Sequence, residues 1–492
     1  MLAIGIKAPE VPPGRTVALG LLLFALVWLG LLAATALSPP ADDIEQLTWV
    51  RSLEWGYYKH PPLPTWLLWL PVRIFGLSAG VAYALGAACT LAALGLLWHL
   101  VARLRGVTHA SVALLGALCI TYYNGRLYYY NHNVVLLLLS SACAWLCWQA
   151  FATRRLRWWI ALGVALGLGA LTKYQIAVTA ASVLAFAVHQ RAWRDPLHRR
   201  GALLAGLIAL VMFVPHLEWL TAHDFAPIGY ALETSLGAHV EPAARLAASV
   251  TWLADQVFNR ALPALLLLIG LAHWPGAARR TSPARQPAPR GHDAARALLL
   301  AWGLVPLVFI TLVGLVGGAE LQLQWGTPFL LFMVPAAMEL WPRARWQQAD
   351  LSRALAAFLV IQALLLALNF VTSPRGAAAL RTHHWQSFDS AELAARVAGP
   401  ARAELGGPVR VVVGNASIAG ALALRLPERP RVLIDGRHDR SPWVGLDLVQ
   451  RCGAVQLGAA GTLDNARSLG PAFPGMVWRI ILPILAAGAC PA

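Results

Sequence analysis

The sequence predicts a polytopic α-helical membrane protein with a small α/β domain at its C-terminal end. Of the 492 residues, 58% are hydrophobic and only 13% are charged, and the mean hydropathy is +0.59, a balance that excludes an ordinary water-soluble enzyme. Runs such as Val17–Leu37 and Leu203–Val214 are too long and too apolar for a soluble core. After residue 372 the pattern changes to short strand-like and helix-like segments.

About eleven apolar runs are interpreted as membrane spans. The first, Val17–Leu37, is followed by Ser38-Pro39-Pro40 and not by a small-x-small cleavage site, so we interpret it as an uncleaved span. Trp66–Gly76 is apolar but too short to cross, and we expect it to lie on the outer surface as an interfacial helix. The predicted spans are residues 17–37, 80–101, 110–123, 134–152, 158–171, 176–190, 202–217, 256–274, 297–316, 327–341 and 354–372.

Basic residues are distributed unevenly between alternate loops. One set of loops carries 19 Lys and Arg residues, and the alternate set before the tail carries seven. Because cytoplasmic loops are enriched in Lys and Arg, we predict a cytoplasmic N-terminus, and the odd span count then places residues 373–492 in the periplasm. This bias accounts for the net charge of +16. We therefore expect a bacterial inner-membrane protein whose partners include membrane lipids but no nucleic acid.

Two domains are predicted. Residues 1–372 form the transmembrane domain, with residues 38–79 as its first loop on the outer face, and residues 373–492 form a periplasmic α/β domain. The β–α–β pattern that predicts the second domain consists of Val409–Gly414, Ser417–Leu426 and Arg431–Ile434.

The end of the tail offers two further expectations. Met476–Leu485 is apolar, but it is about ten residues long and contains Pro483, so we expect a strand and not a twelfth span. Cys452 and Cys490 both lie in the outer domain, where thiols can be oxidised. A disulfide bond between them is our hypothesis.

The first outer loop begins with Asp42 and Asp43, directly after Pro39-Pro40. A carboxylate at a membrane exit can act as a general base and accept the proton of an attacking hydroxyl. The alternative is that Asp42 or Asp43 caps a helix that begins near Ile44. The two interpretations are compatible if one carboxylate caps the helix and the other points inward.

Three basic groups are candidates for binding an anion. Pro61-Pro62 fixes an extended backbone after Tyr57-Tyr58-Lys59-His60, which can hold Lys59 and His60 towards a phosphate. Lys173 ends a predicted span at its outer edge, where a cation can stabilise a phosphate leaving group. The alternative for all three is an interfacial role, with long basic side chains reaching lipid headgroups.

The outer loop Tyr122–Asn133 combines five tyrosines with Arg126, Asn131 and Asn133. Such a set offers stacking faces and hydrogen-bond donors suited to a sugar, although an aromatic belt at the membrane surface is the alternative. The loop His216–Asp255 contains acidic and imidazole side chains without a diagnostic spacing. No cofactor is assigned, and a divalent metal is left open.

These motifs resemble those of a known family. The frame from Asp42-Asp43 through Trp49 to Trp55-Gly-Tyr-Tyr-Lys-His-Pro-Pro-Leu63 is similar to the first outer loop of the GT-C polyprenyl-phosphate-sugar-dependent membrane glycosyltransferases, related to lipid A aminoarabinose transferase and the protein O-mannosyltransferases. Supporting segments are Tyr130-Asn-His-Asn-Val134, Leu171-Thr-Lys-Tyr174, Gln324-Trp325 and Arg440-Ser-Pro-Trp443.

The resemblance implies an inverting glycosyltransferase that uses a polyprenyl-phosphate sugar donor on the periplasmic face. The implied acceptor is an envelope molecule: lipid A, lipopolysaccharide or another glycan, or a protein. The family's presumed base maps onto Asp42, and its phosphate-facing groups map onto Lys59, His60 and Lys173.

The sequence also departs from the family. Before Pro61-Pro62 this chain has Lys59-His60, where the sequences of aminoarabinose transferases resemble Glu-Lys-Pro-Pro. It also has Asn133 and Gln324 at positions where many relatives carry Asp and His. These departures argue against a straightforward aminoarabinose transferase and leave the sugar and the metal open. A flippase of lipid-linked sugars is the alternative function. The spans are almost free of charge, and the ionisable groups lie on one side, which favours surface chemistry.

Overall fold

The structure, a computed structural model, describes residues 13–237, 239–273, 291–342, 346, 349–381, 385–484 and 490. The helices are α1 (Pro13–Thr35), α2 (Ala41–Trp49), α3 (Leu63–Phe75), α4 (Ala79–Arg105), α5 (Val107–Leu118), α6 (His132–Thr153), α7 (Leu156–Ala170), α8 (Ile176–His189), α9 (Pro196–Ala222), α10 (Ala226–Ala231), α11 (Arg245–Ala254), α12 (Leu262–Ala272), α13 (Gly291–Gly317), α14 (Met333–Met338), α15 (Leu351–Thr372), α16 (Ser390–Leu405), α17 (Ala416–Arg425) and α18 (Leu448–Cys452). The strands are β1 (Val411–Gly414), β2 (Arg431–Ile434), β3 (Ala454–Ala459), β4 (Arg467–Ser468) and β5 (Met476–Ile481).

The membrane domain is a helical bundle. Within the described residues, α1, α4, α6, α9, α13 and α15 are long and apolar enough to cross a membrane, and the stretch from α11 to α12, bent by 59°, would make a seventh span. Three other predicted spans coincide with α5, α7 and α8, which are 12, 15 and 14 residues long. At about 1.5 Å per residue these helices are shorter than the hydrocarbon layer of about 30 Å. The predicted count of eleven spans is therefore not confirmed.

Residues 327–341 do not form the continuous span that the sequence predicts. They contain a 3₁₀ turn, Leu330–Phe332, and the six-residue helix α14. Both pieces are buried in the bundle, which explains why the sequence there is apolar without forming a long helix.

The α/β domain contains one five-stranded sheet in the order β2-β1-β3-β5-β4. Strand β1 pairs in parallel with β2 and β3, and β5 pairs antiparallel with β3 and β4. Helix α17 connects β1 to β2, so the predicted β–α–β unit is confirmed. Met476–Ile481 is a strand, as predicted. Cys452 and Cys490 form a disulfide bond with a Cα–Cα distance of 4.9 Å, which confirms that hypothesis.

The α/β domain packs directly on α2. A Cβ atom at Gly420 of α17 would lie 2.4 Å from Ile44 Cγ2, so the two helices approach as closely as glycine allows. Arg51 Nη2 donates to the carbonyl of Arg429 at 2.7 Å. Trp49, from the first outer loop, is buried in the core of the α/β domain. The two predicted domains, 1–372 and 373–492, thus share a packed interface, and α2 lies within it.

Candidate active site

Helix α2 presents Asp42 and Asp43, the acidic pair at the start of the first loop. The helix begins at Ala41, directly after Pro39-Pro40, and no side chain caps it. The alternative that Asp42 or Asp43 caps a helix starting near Ile44 is therefore corrected, because Pro40 occupies the N-cap position. Both carboxylates lie in the first turn of α2, where the partial positive charge of the helix N-terminus favours a negative group.

The two carboxylates point into different environments. Asp42 is exposed, and its Oδ2 accepts a hydrogen bond from Asn131 Nδ2 at 2.9 Å. Asn131 is held in place because its Oδ1 accepts from the Val134 N–H at the start of α6. Asp43 is buried, and its Oδ1 accepts from the Tyr130 N–H at 2.8 Å. Burial raises the pKa of Asp43 well above its usual range, against the opposing effect of that hydrogen bond.

A cavity of about 320 Å³ opens beside Asp42. Its lining also includes Tyr230, from the end of α10, and Trp325. The predicted site residues that line it are Asp42, Lys59, His60, Asn131, Asn133 and Lys173. The fold therefore brings together, in one cavity, residues from three separate loops of the chain.

Lys173 supplies a cation to this first cavity. Its Nζ donates to Asn133 Oδ1 at 2.7 Å, and among the described residues no carboxylate lies within ion-pair distance of it. Burial lowers the pKa of Lys173 to about 8, while the carboxylate of Asp42 opposes that shift. The ammonium of Lys173 is thus held by Asn133 and charged at neutral pH, and no described carboxylate forms an ion pair with it.

Lys59 differs from Lys173 because it already has an acidic partner. Lys59 Nζ lies 2.8 Å from Glu45 Oε1, and the Tyr58 hydroxyl also donates to this oxygen at 3.1 Å. Burial opposes the charge of Lys59, but Glu45 raises the pKa of Lys59 above its usual value. Burial in turn raises the pKa of Glu45, and Lys59 opposes that shift. The net charge that this pair offers a ligand is therefore small.

His60 lies against a second imidazole that also lines the cavity. The ring centroids of His60 and His132 are 4.1 Å apart. Burial, together with the neighbouring His132, Lys173 and Lys59, lowers the pKa of His60 well below its ordinary value. His60 is therefore a neutral hydrogen-bonding group at physiological pH.

A second cavity of about 130 Å³ adjoins the first. Asp42, Asn131, Asn133 and Gln324 line both cavities. Arg126 lines the second cavity together with Tyr122 and Tyr129, and its Cζ lies 5.5 Å and 5.6 Å from the centroids of these two rings. Asp42 thus lies where the two cavities meet.

Three predicted site residues lie behind the cavity walls. Asp43 lines neither cavity. Tyr57 stacks on Trp49 with a centroid distance of 4.7 Å and donates its hydroxyl to Ser52 O. Tyr58 contacts Glu45 through its hydroxyl and lies 5.0 Å from Arg440 Cζ. These side chains hold the lining residues and the α/β domain in position.

Glu45 and Tyr230 are among the lining residues that the sequence analysis missed. Glu45 follows Asp42 by three positions and so lies on the same face of α2, a signal that was available. Tyr230 comes from a loop whose sequence has no comparable motif, and its ring lies 5.2 Å from Lys59 Nζ.

The described part of the chain contains no group of three His, Cys, Asp or Glu side chains arranged to hold a metal.

Residues 59–219 match the family model described as dolichyl-phosphate-mannose-protein mannosyltransferase. The lipopolysaccharide core galacturonosyltransferase RgtA of Rhizobium johnstonii is 26% identical over 432 residues, covering 85% of this chain and 82% of RgtA. The lipopolysaccharide core galacturonosyltransferase RgtB of the same organism is 28% identical over 207 residues, 41% of this chain and 42% of RgtB.

ArnT from Cupriavidus metallidurans has a similar fold. Its structure bound to undecaprenyl phosphate superposes with a TM-score of 0.61 at 16% identity, covering 97% of this chain and 99% of ArnT. The apo structure gives 0.62 at 16% identity, covering 98% of this chain and all of ArnT. At this identity the match establishes the fold alone. The relatives are transferases and give the flippase alternative no support. Together, the sequence and fold likenesses support a glycosyltransferase of the GT-C type.

Proposed function

We propose that this glycosyltransferase moves a sugar from a polyprenyl-phosphate donor to an envelope glycan on the periplasmic face of the bacterial inner membrane. The observation that carries the proposal is the position of Asp42 at the junction of two cavities, with the unneutralised cation Lys173 in the larger one. A base between a phosphate-binding group and a second substrate pocket is the arrangement that a single displacement requires.

In the proposed reaction the donor phosphate binds at Lys173 and His60. The acceptor hydroxyl attacks the anomeric carbon on the face opposite the phosphate, and Asp42 accepts the hydroxyl proton. The new C–O bond forms as the bond to the phosphate oxygen breaks, and the polyprenyl phosphate leaves with that electron pair. Lys173 stabilises the charge that develops on the leaving group. Attack from the opposite face inverts the anomeric configuration.

The sugar and the acceptor are proposed from the relatives. RgtA and RgtB are both galacturonosyltransferases of the lipopolysaccharide core, and RgtA aligns with most of this chain. We infer a hexuronic acid as the transferred sugar and the lipopolysaccharide core as the acceptor. ArnT, which shares the fold, binds undecaprenyl phosphate in one of its structures, which supports a polyprenyl-phosphate carrier here.

The position of the cavity next to helix α3 supports catalysis at a membrane surface. Helix α3 exposes Trp69, Leu70, Ile74 and Phe75, and Arg73 Cζ lies 5.7 Å from the Trp69 ring. An amphipathic helix of this kind is suited to the headgroup region. Because α3 directly follows the segment that carries Lys59 and His60, we infer that the cavity opens at the level of the lipid headgroups.

The test is a transfer assay with purified protein in liposomes, using undecaprenyl-phosphate galacturonic acid as donor and lipopolysaccharide core as acceptor. We expect Asp42→Asn to lower kcat by about 10²- to 10⁴-fold, because a general base typically contributes that much. Asp43→Asn is the matched control from the same turn of α2. Asn should replace Asp43 with little loss, because burial favours the protonated form of this carboxyl. Full activity of Asp42→Asn would overturn the base assignment, and absence of transfer from every polyprenyl-phosphate donor would overturn the reaction.

A further inference from the structure

Arg126 is a cation for which the proposed reaction has no use. It is half-buried, it lines the second cavity, and its guanidinium makes no hydrogen bond or ion pair with any described residue. Arg260 makes an informative comparison, because its Cζ lies 5.1 Å from the same Tyr122 ring. Arg260 is neutralised by Asp255, whose Oδ2 lies 3.1 Å from its Nε. The charge of Arg126 is therefore available to a ligand, whereas the charge of Arg260 is paired with a carboxylate.

The two tyrosines beside Arg126 hold the guanidinium without satisfying it. Rings at 5.5 Å and 5.6 Å provide cation–π attraction, but a ring does not accept the directional N–H bonds of the guanidinium edge. The Tyr122 hydroxyl donates to the Leu323 carbonyl and is not directed at Arg126. A guanidinium whose N–H donors have no protein partner can pair with a ligand that supplies acceptors.

The charge balance of the second cavity points to an anionic ligand. The carboxylate of Asp42 lines this cavity, so an acidic group entering it would be repelled if no cation were present. Arg126 offsets that repulsion. A neutral sugar needs hydrogen bonds but no such cation, and Asn131, Asn133 and Gln324 of the shared wall already provide amide groups.

We propose that Arg126 binds an oxyanion carried by one of the substrates and thereby sets specificity for an acidic group beside the reacting carbon. The oxyanion is the carboxylate of the transferred sugar or an acidic group next to the acceptor hydroxyl. A planar guanidinium pairs with either one through two parallel hydrogen bonds. The sugar carboxylate is favoured, because the second cavity shares four lining residues with the cavity that holds the proposed phosphate site and has less than half the volume of that cavity. This inference rests on the proposed function.

The experiment measures kcat/KM for two donors and two acceptors. The donors are undecaprenyl-phosphate galacturonic acid and undecaprenyl-phosphate galactose, and the acceptors are lipopolysaccharide core with and without its phosphate groups. We expect Arg126→Gln to lower kcat/KM about 10- to 100-fold with the acidic donor and to leave it within about threefold with galactose. Arg126→Lys should fall between, because an ammonium keeps the charge but not the paired geometry. Arg260→Gln is the matched control, and it should leave the ratio between the two donors unchanged.

Each outcome has one meaning. One outcome is that Arg126→Gln lowers kcat/KM only with the phosphorylated acceptor, whichever sugar the donor carries. That result supports the oxyanion site and shows that the acceptor supplies the oxyanion. Equal losses with all four combinations, or no loss with any of them, overturn the inference. Failure of the wild type to transfer either sugar contradicts the proposed function instead, so the two failures are distinguishable.

Discussion

We predict that Lys173 makes donor binding dependent on pH. Its pKa of about 8 means that the ammonium is charged below that pH and loses its charge as the pH rises through it. A sugar phosphodiester keeps its single negative charge over this range, and His60 is neutral throughout it because its pKa lies well below the ordinary value. With one group of pKa about 8, kcat/KM for the donor should fall about tenfold between pH 7 and pH 9.

The size of the Lys173 contribution follows from its contacts. A hydrogen bond from a charged donor contributes about 1.5–3 kcal/mol, which corresponds to roughly 10- to 150-fold in kcat/KM. Lys173→Met removes the charge at similar length, so we expect a loss of that size at pH 7. Lys173→Arg keeps a charge at every accessible pH and should abolish the decline between pH 7 and pH 9.

The assay is steady-state transfer from undecaprenyl-phosphate galacturonic acid at a series of pH values. Asp42 raises the pKa of Lys173, so the residual activity of Asp42→Asn should decline at a lower pH than that of the wild type. A decline that persists in Lys173→Met would refute the reasoning, because the titrating group would then be a different one. A flat wild-type profile would refute it as well.

Three further predictions concern the surroundings of the site. Gly420→Ala should lower kcat by about tenfold, because the new Cβ atom would collide with α2 and displace Asp42, the proposed base. The control is Gly399→Ala, because nothing lies within 4 Å of a Cβ atom at that position. Equal activity of the two variants would contradict the prediction. Cys452→Ser should lower the free energy of unfolding of the α/β domain by about 2–4 kcal/mol, because the disulfide bond closes 38 residues; denaturant unfolding measures it, and an unchanged midpoint would argue against a structural bond. Lys59→Gln should destabilise the protein by leaving Glu45 buried without its partner, and Glu45→Gln in the same chain should restore the melting temperature; failure of that rescue would show that the pair is not coupled.

Local patterns in the sequence were sufficient to predict several elements. The strand Arg431–Ile434 has the predicted bounds, and α3 falls where an apolar segment was too short to cross. In both segments the deciding information lies in neighbouring residues. The strand is a short run of β-branched and aliphatic side chains, and α3 is an apolar segment that is too short to cross the membrane. The frame around Asp42, His60 and Lys173 was also recognisable from the sequence, and the fold brings these side chains to one cavity.

What the sequence did not reveal depends on distant contacts. Helices α5, α7 and α8 contribute apolar residues to the core of the bundle, and apolar composition does not distinguish a short packed helix from a spanning one. The pairing of Lys59 with Glu45 requires the first outer loop to fold back on α2. The second cavity joins residues near position 126 to Gln324, a contact that no local motif predicts.

The packing of α2 against α17 ties the order of synthesis to the onset of activity. The helix that carries Asp42 is made early, but the surface that supports it is made much later: Arg51 and its partner Arg429 are 378 residues apart. Until that surface has folded, Ile44 and Trp49 lack their native packing partners, and the proposed base has no fixed position. A ribosome that stalls ahead of α17 would therefore release an inert chain, so that sugar transfer begins only once α17 has been made and has folded.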